Sequence, residues 1–174
     1  MTVSLLYYGT VRYLSHFKVR SCEHAVCMLE YRYKQIRGRV ELIMNKVVDF
    51  LQANPVQYLG TVGRDGKAKC RPFMFCFEKD GKLWFCTNNQ KEVYKDMQAN
   101  PEVEISVSDA SYAWLRLHGK AVFENNMEVK EACMANPIVK GQYNTADNPI
   151  FVVFYLENPH GVIADFSGNP PYEF

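Results

Sequence analysis

The chain has 174 residues, 48% apolar and 14% aromatic, with a formal net charge of +1. That composition excludes a disordered polymer and suits one packed domain with a real core. A charge balance so near neutral gives no strong field for nucleic acid or an anionic membrane.

The charge is unevenly spread. Residues 1–43 carry seven Lys/Arg against three Asp/Glu, and the remainder thirteen against sixteen. The leader shows no sustained period, although Ala25 to Ile36 has the makings of a short helix. Orderly patterning starts at Met44. We therefore expect residues 1–43 to be an upstream extension, poorly structured or not natively translated, and 44–174 to be the domain.

Asn45 to Ala53 predicts a helix capped by Asn45, with Val47, Val48, Phe50 and Leu51 on its apolar face and Asn54-Pro55 ending it. Two hairpins follow. Tyr58–Gly63 and Lys67–Phe77 flank Asp65-Gly66, and the second strand meets Leu83–Thr87 through Asp80-Gly81. Each Asp-Gly pair marks a type I′ turn. Asn89 to Ala99 has helical spacing, with Val93 and Met97 on one face, and Asn100-Pro101 closes it. Val103–Ser108 and Ala113–Phe123 alternate as strands. The second puts Leu115 and Leu117 on one face and Trp114, Arg116 and His118 on the other. Glu128–Ala135 predicts a short helix stopped by Asn136-Pro137. Ile150–Glu157 and Gly161–Phe166 are the last strands, and an extended tail runs to Phe174. About six antiparallel strands with one mixed face predict closure into a barrel.

Cys22, Cys27, Cys70, Cys76, Cys86 and Cys133 fit no disulfide framework and read as free thiols of a reducing compartment. The run Cys22-Glu23-His24-Ala25-Val26-Cys27 offers three metal ligands, but no second pair follows at zinc-finger spacing. The longest strongly apolar run, Ile150–Leu156, is too short for a bilayer span. No signal-peptide pattern opens the chain, so the expected location is the cytoplasm.

No nucleophile elbow, zinc-protease helix or phosphate-loop signature occurs. His118 reads as a solvent or interface residue, and His160 as a turn residue after Pro159. Asp65 and Asp80 read as turn formers. A chain without such machinery can still be an enzyme if a cofactor supplies the chemistry. Two stretches point that way. Lys69-Cys70-Arg71-Pro72-Phe73-Met74 sets a cation and a proline inside a strand, which requires an edge, a bulge or a ligand close to the backbone. Cys86-Thr87-Asn88-Asn89-Gln90-Lys91 leads into a helix and makes an anion cradle.

With Gln57-Tyr58-Leu59-Gly60-Thr61-Val62, Asn100-Pro101, Gly119-Lys120-Ala121 and Ala164-Asp165-Phe166-Ser167-Gly168 in the same order, Met44 to the C-terminus resembles the pyridoxamine 5'-phosphate oxidase-like FMN-binding split barrels. The nearest branch is the short nitroimidazole-resistance reductases. The resemblance implies a mainly β, FMN-binding split barrel. Its cofactor site would comprise Arg71, Pro72, Phe73, Met74 and Cys76 along the ring, Cys86, Thr87 and Asn88 at the ribityl phosphate, and Lys91 as phosphate counter-ion. Trp114 and Arg116 would reach in from the second subunit of a homodimer. No catalytic side chain and no metal is implied. NADH or NADPH would be the reductant and a small nitroaromatic-like molecule the acceptor.

Two departures matter. Glu92-Val93 stands where relatives often place Arg-Lys for the phosphate. No arginine follows Arg116, which argues against pyridoxamine phosphate as substrate. A non-enzymatic flavin sensor, or a barrel holding haem on His118 or Cys86, or a deazaflavin, are the alternatives. If Met44 is the natural start, the intact mass of the native protein will lack residues 1–43; a mass that includes them overturns the expectation.

Overall fold

The computed structural model describes the chain from Glu23 to Phe174. The first 22 residues, Cys22 of the possible metal run among them, lie outside the described residues. The chain divides into two compact units, Met1–Met44 and Asn45–Phe174.

Helix α1 spans Glu23–Ala53, so Asn45 lies inside it and caps nothing. No proline interrupts this stretch, and its single glycine, Gly38, is tolerated. Asn54 donates from Nδ2 to the Phe50 carbonyl at 2.9 Å, and Pro55 follows. Within the second unit Val47 and Leu51 are buried.

Eight strands follow: β1 (Gln57–Val62), β2 (Ala68–Phe73), β3 (Phe75–Lys79), β4 (Lys82–Asn88), β5 (Glu102–Ser108), β6 (Trp114–Glu124), β7 (Phe151–Ala164) and β8 (Tyr172–Glu173). Their antiparallel order is β2-β1-β5-β6-β7-β4-β3, with β8 on β7. The two ends of that path, β2 and β3, are neighbours in sequence, separated by Met74 alone. The expected single strand Lys67–Phe77 is therefore two strands. Its first half pairs with β1 and its second with β4, so the sheet curls until its edges meet at Met74.

Gln57 holds that seam. It is fully buried. Its Oε1 accepts the Phe75 N–H at 2.5 Å, the first peptide group after the break. Its Nε2 donates to the Leu51 and Asn54 carbonyls at 2.9 and 2.8 Å. One side chain thus satisfies three backbone groups that neither the helix nor the sheet can pair.

The turns differ from one another. Asp80 and Gly81 both have positive φ (54° and 73°), as a type I′ turn requires. At the first hairpin only Gly66 does (75°), and its N–H bonds the Gly63 carbonyl at 2.8 Å. That loop is a type I turn followed by a left-handed glycine, not type I′. It is tied down because Asp96, buried in helix α2 (Glu92–Ala99), accepts from the Arg64 N–H at 3.1 Å and faces Arg71 Nη2 at 3.7 Å. Val93 and Met97 face the core as expected.

Helix α3 (Met127–Cys133) is capped by Asn126, whose side chain accepts from the Val129 N–H. Asn136-Pro137 does not merely end a helix. It starts α4 (Pro137–Tyr143), with Asn136 Oδ1 accepting from the Ile138 N–H at 2.9 Å and proline at the first position, where a missing N–H costs nothing. The two expected final strands are one. Asn158 (φ 52°) and Pro159 stand opposite Gly119 as a bulge between the His118–His160 and Lys120–Glu157 pairs, so the ladder resumes and His160 lies in β7, not in a turn. The tail returns as β8, with Phe174 and Gly161 exchanging backbone hydrogen bonds.

Inside the barrel, Phe85 stacks on Phe154 at 5.5 Å between ring centroids, with Phe75 and Phe73 edge-on or tilted around them. On the outer side of β4 and β7, Trp84, Val129, Cys133, Val139, Tyr143, Phe151 and Val153 form a second buried cluster. Strand β4 is thus buried on both faces, which is why it reads as the unbroken run Leu83-Trp84-Phe85-Cys86.

Replacing Gln57 by leucine keeps the volume and strands three backbone groups, two of them buried. We expect a loss of about 3 kcal/mol in urea-unfolding stability. An unchanged midpoint would remove Gln57 as the anchor of the seam.

Candidate functional site

The seam opens onto a groove of about 440 Å³. Pro72, Phe73 and Met74 form one wall where the chain passes from β2 to β3. Cys86 and Thr87 at the end of β4, and Lys91 just ahead of α2, form the floor and polar end. Val139, Gln142 and Tyr143 of α4 make the opposite wall, with Val56 and Ile138 as exposed apolar lips. Pro72 sits on an edge strand, where its missing N–H breaks no ladder bond. Asn136, while capping α4, also donates to Met74 Sδ at 3.7 Å and so links the two walls.

Two features of the groove call for a ligand. Thr87 is 2% exposed, and its Oγ1 has no hydrogen-bond partner among the described residues. Lys91 is exposed, makes no ion pair among the described residues, and stands at the N-cap of α2, where the first helical N–H groups lack intrahelical acceptors. A hydroxyl donor, a cation and a helix start beside apolar walls suit a ligand with an anionic end and a flat apolar body.

Of the residues singled out from sequence, six come together here: Pro72, Phe73, Met74, Cys86, Thr87 and Lys91. Asn88 stands behind them, buried, its Oδ1 accepting from the Gln90 N–H at 2.7 Å to shape the turn into α2. Cys76 packs on the cluster behind the groove. The Arg71 side chain turns away, donating from Nη1 to Thr61 Oγ1 at 2.7 Å beside Asp96. Within one chain, Trp114 and Arg116 do not reach the groove. Trp114 lies 5.2 Å from the Phe166 ring, and Arg116 is paired with Glu104 through Nε at 2.6 Å. Glu92, at the position of the departure noted above, is engaged by Arg64 and by Lys95 and faces no ligand alone.

The α4 wall was not foreseen. Ile138, Val139, Gln142 and Tyr143 carry an i, i+4 pattern that would have shown it, had Asn136-Pro137 been read as a start.

Three thiols meet behind the floor. Hydrogen bonding from Cys133 and Cys76, with help from the Lys91 charge, holds Cys86 at about 4 despite burial. Cys76 is pushed well up by Cys133, by Cys86 and by burial. For Cys133, the pull of Cys76 is outweighed by Cys86 and burial, and it rises to about 12. Burial, then the nearby sulfurs, raises Tyr143.

A larger recess, about 530 Å³, lies on the outer sheet face beside Glu104, His118 and His160. Glu104 and Lys69 there are already paired. His118 stacks on His160 at 5.4 Å, and Arg116 holds the Glu104 carboxyl below the usual carboxylate range with His118 contributing. Among the described residues no group of three His, Cys, Asp or Glu is placed to hold a metal ion, and no helix is long and apolar enough to cross a membrane.

An antiparallel sheet that splits at Met74 around a groove of this kind defines a split barrel. Residues 43–155 match the pyridoxamine 5'-phosphate oxidase family, and the chain belongs to it. Its fold is that of a flavin-binding oxidoreductase family. A NimC/NimA family protein from Clostridium acetobutylicum is 32% identical, with a TM-score of 0.68 over 75% of this chain and 92% of that one. General Stress Protein 26 from Bacillus anthracis (21% identical, TM-score 0.62, 75% and 98% covered) shares the fold. So does a heme binding protein from Mycobacterium smegmatis (17%, 0.56, 71% and 54%). No curated protein matches the chain.

Proposed function

We propose that this chain is a homodimeric, FMN-dependent oxidoreductase of the cytoplasm. It takes electrons from NADH or NADPH and delivers them to a small oxidised acceptor of the nitroaromatic class. The observation that carries this reading is the partnerless buried Thr87 hydroxyl beside the uncommitted Lys91 cation, at the polar end of an apolar groove. The likeness to a NimC/NimA family protein supports the acceptor class.

Bound FMN supplies reversible electron transfer between the two substrates. The residues of the chain do the rest. Lys91, Thr87 and the first amides of α2 hold the phosphate. Phe73, Met74, Val139 and Tyr143 present apolar surface to the ring and exclude water, and the lips Val56 and Ile138 extend that surface. Trp114 and Arg116, on the outer face of β6, complete the pocket of the partner subunit. No side chain of the groove is required as acid or base.

An absorbance spectrum of the purified protein, followed by anaerobic NADH or NADPH, tests the reading. Flavin bands that bleach are expected, and in the same preparation Lys91→Ala weakens FMN about 10- to 100-fold, the equivalent of roughly 1.5–3 kcal/mol. Flavin bands that neither nicotinamide bleaches would leave a flavin store or sensor. A protein that takes up no FMN on reconstitution would remove the cofactor.

A further inference from the structure

The three clustered thiols are assigned no chemistry in the function proposed above. Cys76, Cys86 and Cys133 converge from β3, β4 and α3, elements far apart in sequence, onto one packed cluster. The proton affinity of each thiol is set chiefly by the other two. They are free cysteines.

Their access is graded. Cys86 lines the groove and is half-buried. Cys133 is only 2% exposed, at the C-terminal end of α3, and packs against the same cluster from behind. Cys76 is the extra residue of the bulge between the Phe75–Phe85 and Phe77–Trp84 pairs, which turns it toward the other two. A reagent entering the groove therefore meets Cys86 first and finds a second thiol directly behind it.

We propose that Cys86 and Cys133 form a dithiol–disulfide site in which Cys86, at the groove floor, is the thiol attacked from solution and Cys133 is the resolving thiol. The co-reactant is a low-molecular-weight disulfide, and its carboxylates would be drawn by the Lys91 cation. Cys86 Sγ attacks one sulfur of the reagent disulfide. The S–S bond breaks, a mixed disulfide forms on Cys86, and a thiolate departs. Cys133 Sγ then attacks Cys86 Sγ, giving up its proton to the second departing sulfur. Two electrons pass from the protein pair to the reagent, which leaves as one thiol and one thiolate. Cys76 donates to the Cys86 sulfur throughout and is not consumed. The low proton affinity of Cys86 supports the order of attack, since the thiolate is the nucleophile.

The site shares the groove floor with the flavin reading, so its test uses FMN-free protein and requires no flavin signal. Full-length protein is incubated with oxidised glutathione at pH 8 and at pH 6, quenched with an alkylating reagent and mapped by peptide mass spectrometry. The expected product is a Cys86–Cys133 disulfide, and loss of the free Cys86 thiol proceeds at nearly the same rate at both pH values. An unperturbed small-molecule thiol slows roughly hundredfold over the same interval. In Cys133→Ala the reaction stops at a glutathione adduct on Cys86; if that variant does not fold, the wild-type map decides alone. Recovery of Cys86 as a free thiol while exposed Cys70 is modified would overturn the site. A Cys76–Cys86 bond, or a persistent adduct on Cys86 in the wild type, would overturn Cys133 as the resolving thiol. FMN uptake is measured on separate samples, so failure of the flavin reading and failure of the thiol site remain distinguishable.

Discussion

The buried amide of Gln57 is the constraint on which the site depends. A sheet that continued straight through Met74 would put β2 and β3 in one strand, with one set of neighbours. Instead the Phe75 N–H is handed to a side chain, and the strand is free to change partners. An unpaired buried amide would cost about 1–3 kcal/mol, so the crossing is tolerable only because the acceptor is built in. The same amide group binds the Leu51 carbonyl of α1 and the Asn54 carbonyl just beyond it, which fixes the Pro55-Val56 edge of the groove relative to the Phe73-Met74 wall.

Strand β4 carries the second consequence. Buried on both faces, it connects the aromatic barrel interior to the cluster beneath α3 and α4. Its last residues change from apolar to polar just where it emerges, so Cys86, Thr87 and Asn88 are held by a strand that cannot shift without disturbing both cores. Polar groups placed this way are preorganised, and a ligand does not bear the entropy of ordering them. Asp96 plays a related part from the other side, holding Arg64 and Arg71 away from the groove and leaving Lys91 as its uncommitted cation.

Much of this was legible in the sequence because it rests on local chemistry. The Asp-Gly turns, the alternation of Leu115 and Leu117 with Trp114 and Arg116, and the edge position implied by Pro72 follow from backbone geometry within a few residues. The break at Met74 did not announce itself, because neither glycine nor a second proline marks it; the signal is a glutamine seventeen residues earlier whose role depends on tertiary contact. Asn136-Pro137 carried both a stop and a start, and only the stop was read. The bulge at Asn158-Pro159 looked like an interruption because local propensity cannot show that the partner strand supplies Gly119 opposite it. The thiol cluster was invisible for the plainest reason: Cys76, Cys86 and Cys133 are neighbours only after folding.

The groove therefore combines two kinds of determinant. Its shape comes from the seam, a property of the whole sheet, whereas its charge comes from one short segment, Thr87 to Lys91, at the start of a helix. Shape of this kind survives substitution as long as the core is packed, so a protein only 21% identical shares the fold. The polar segment has no such redundancy. With Glu92 already engaged by Arg64 and Lys95, the net attraction for an anion rests on Lys91, Thr87 and the helix start alone. For the FMN proposed above, affinity would then come as much from the apolar walls as from charge.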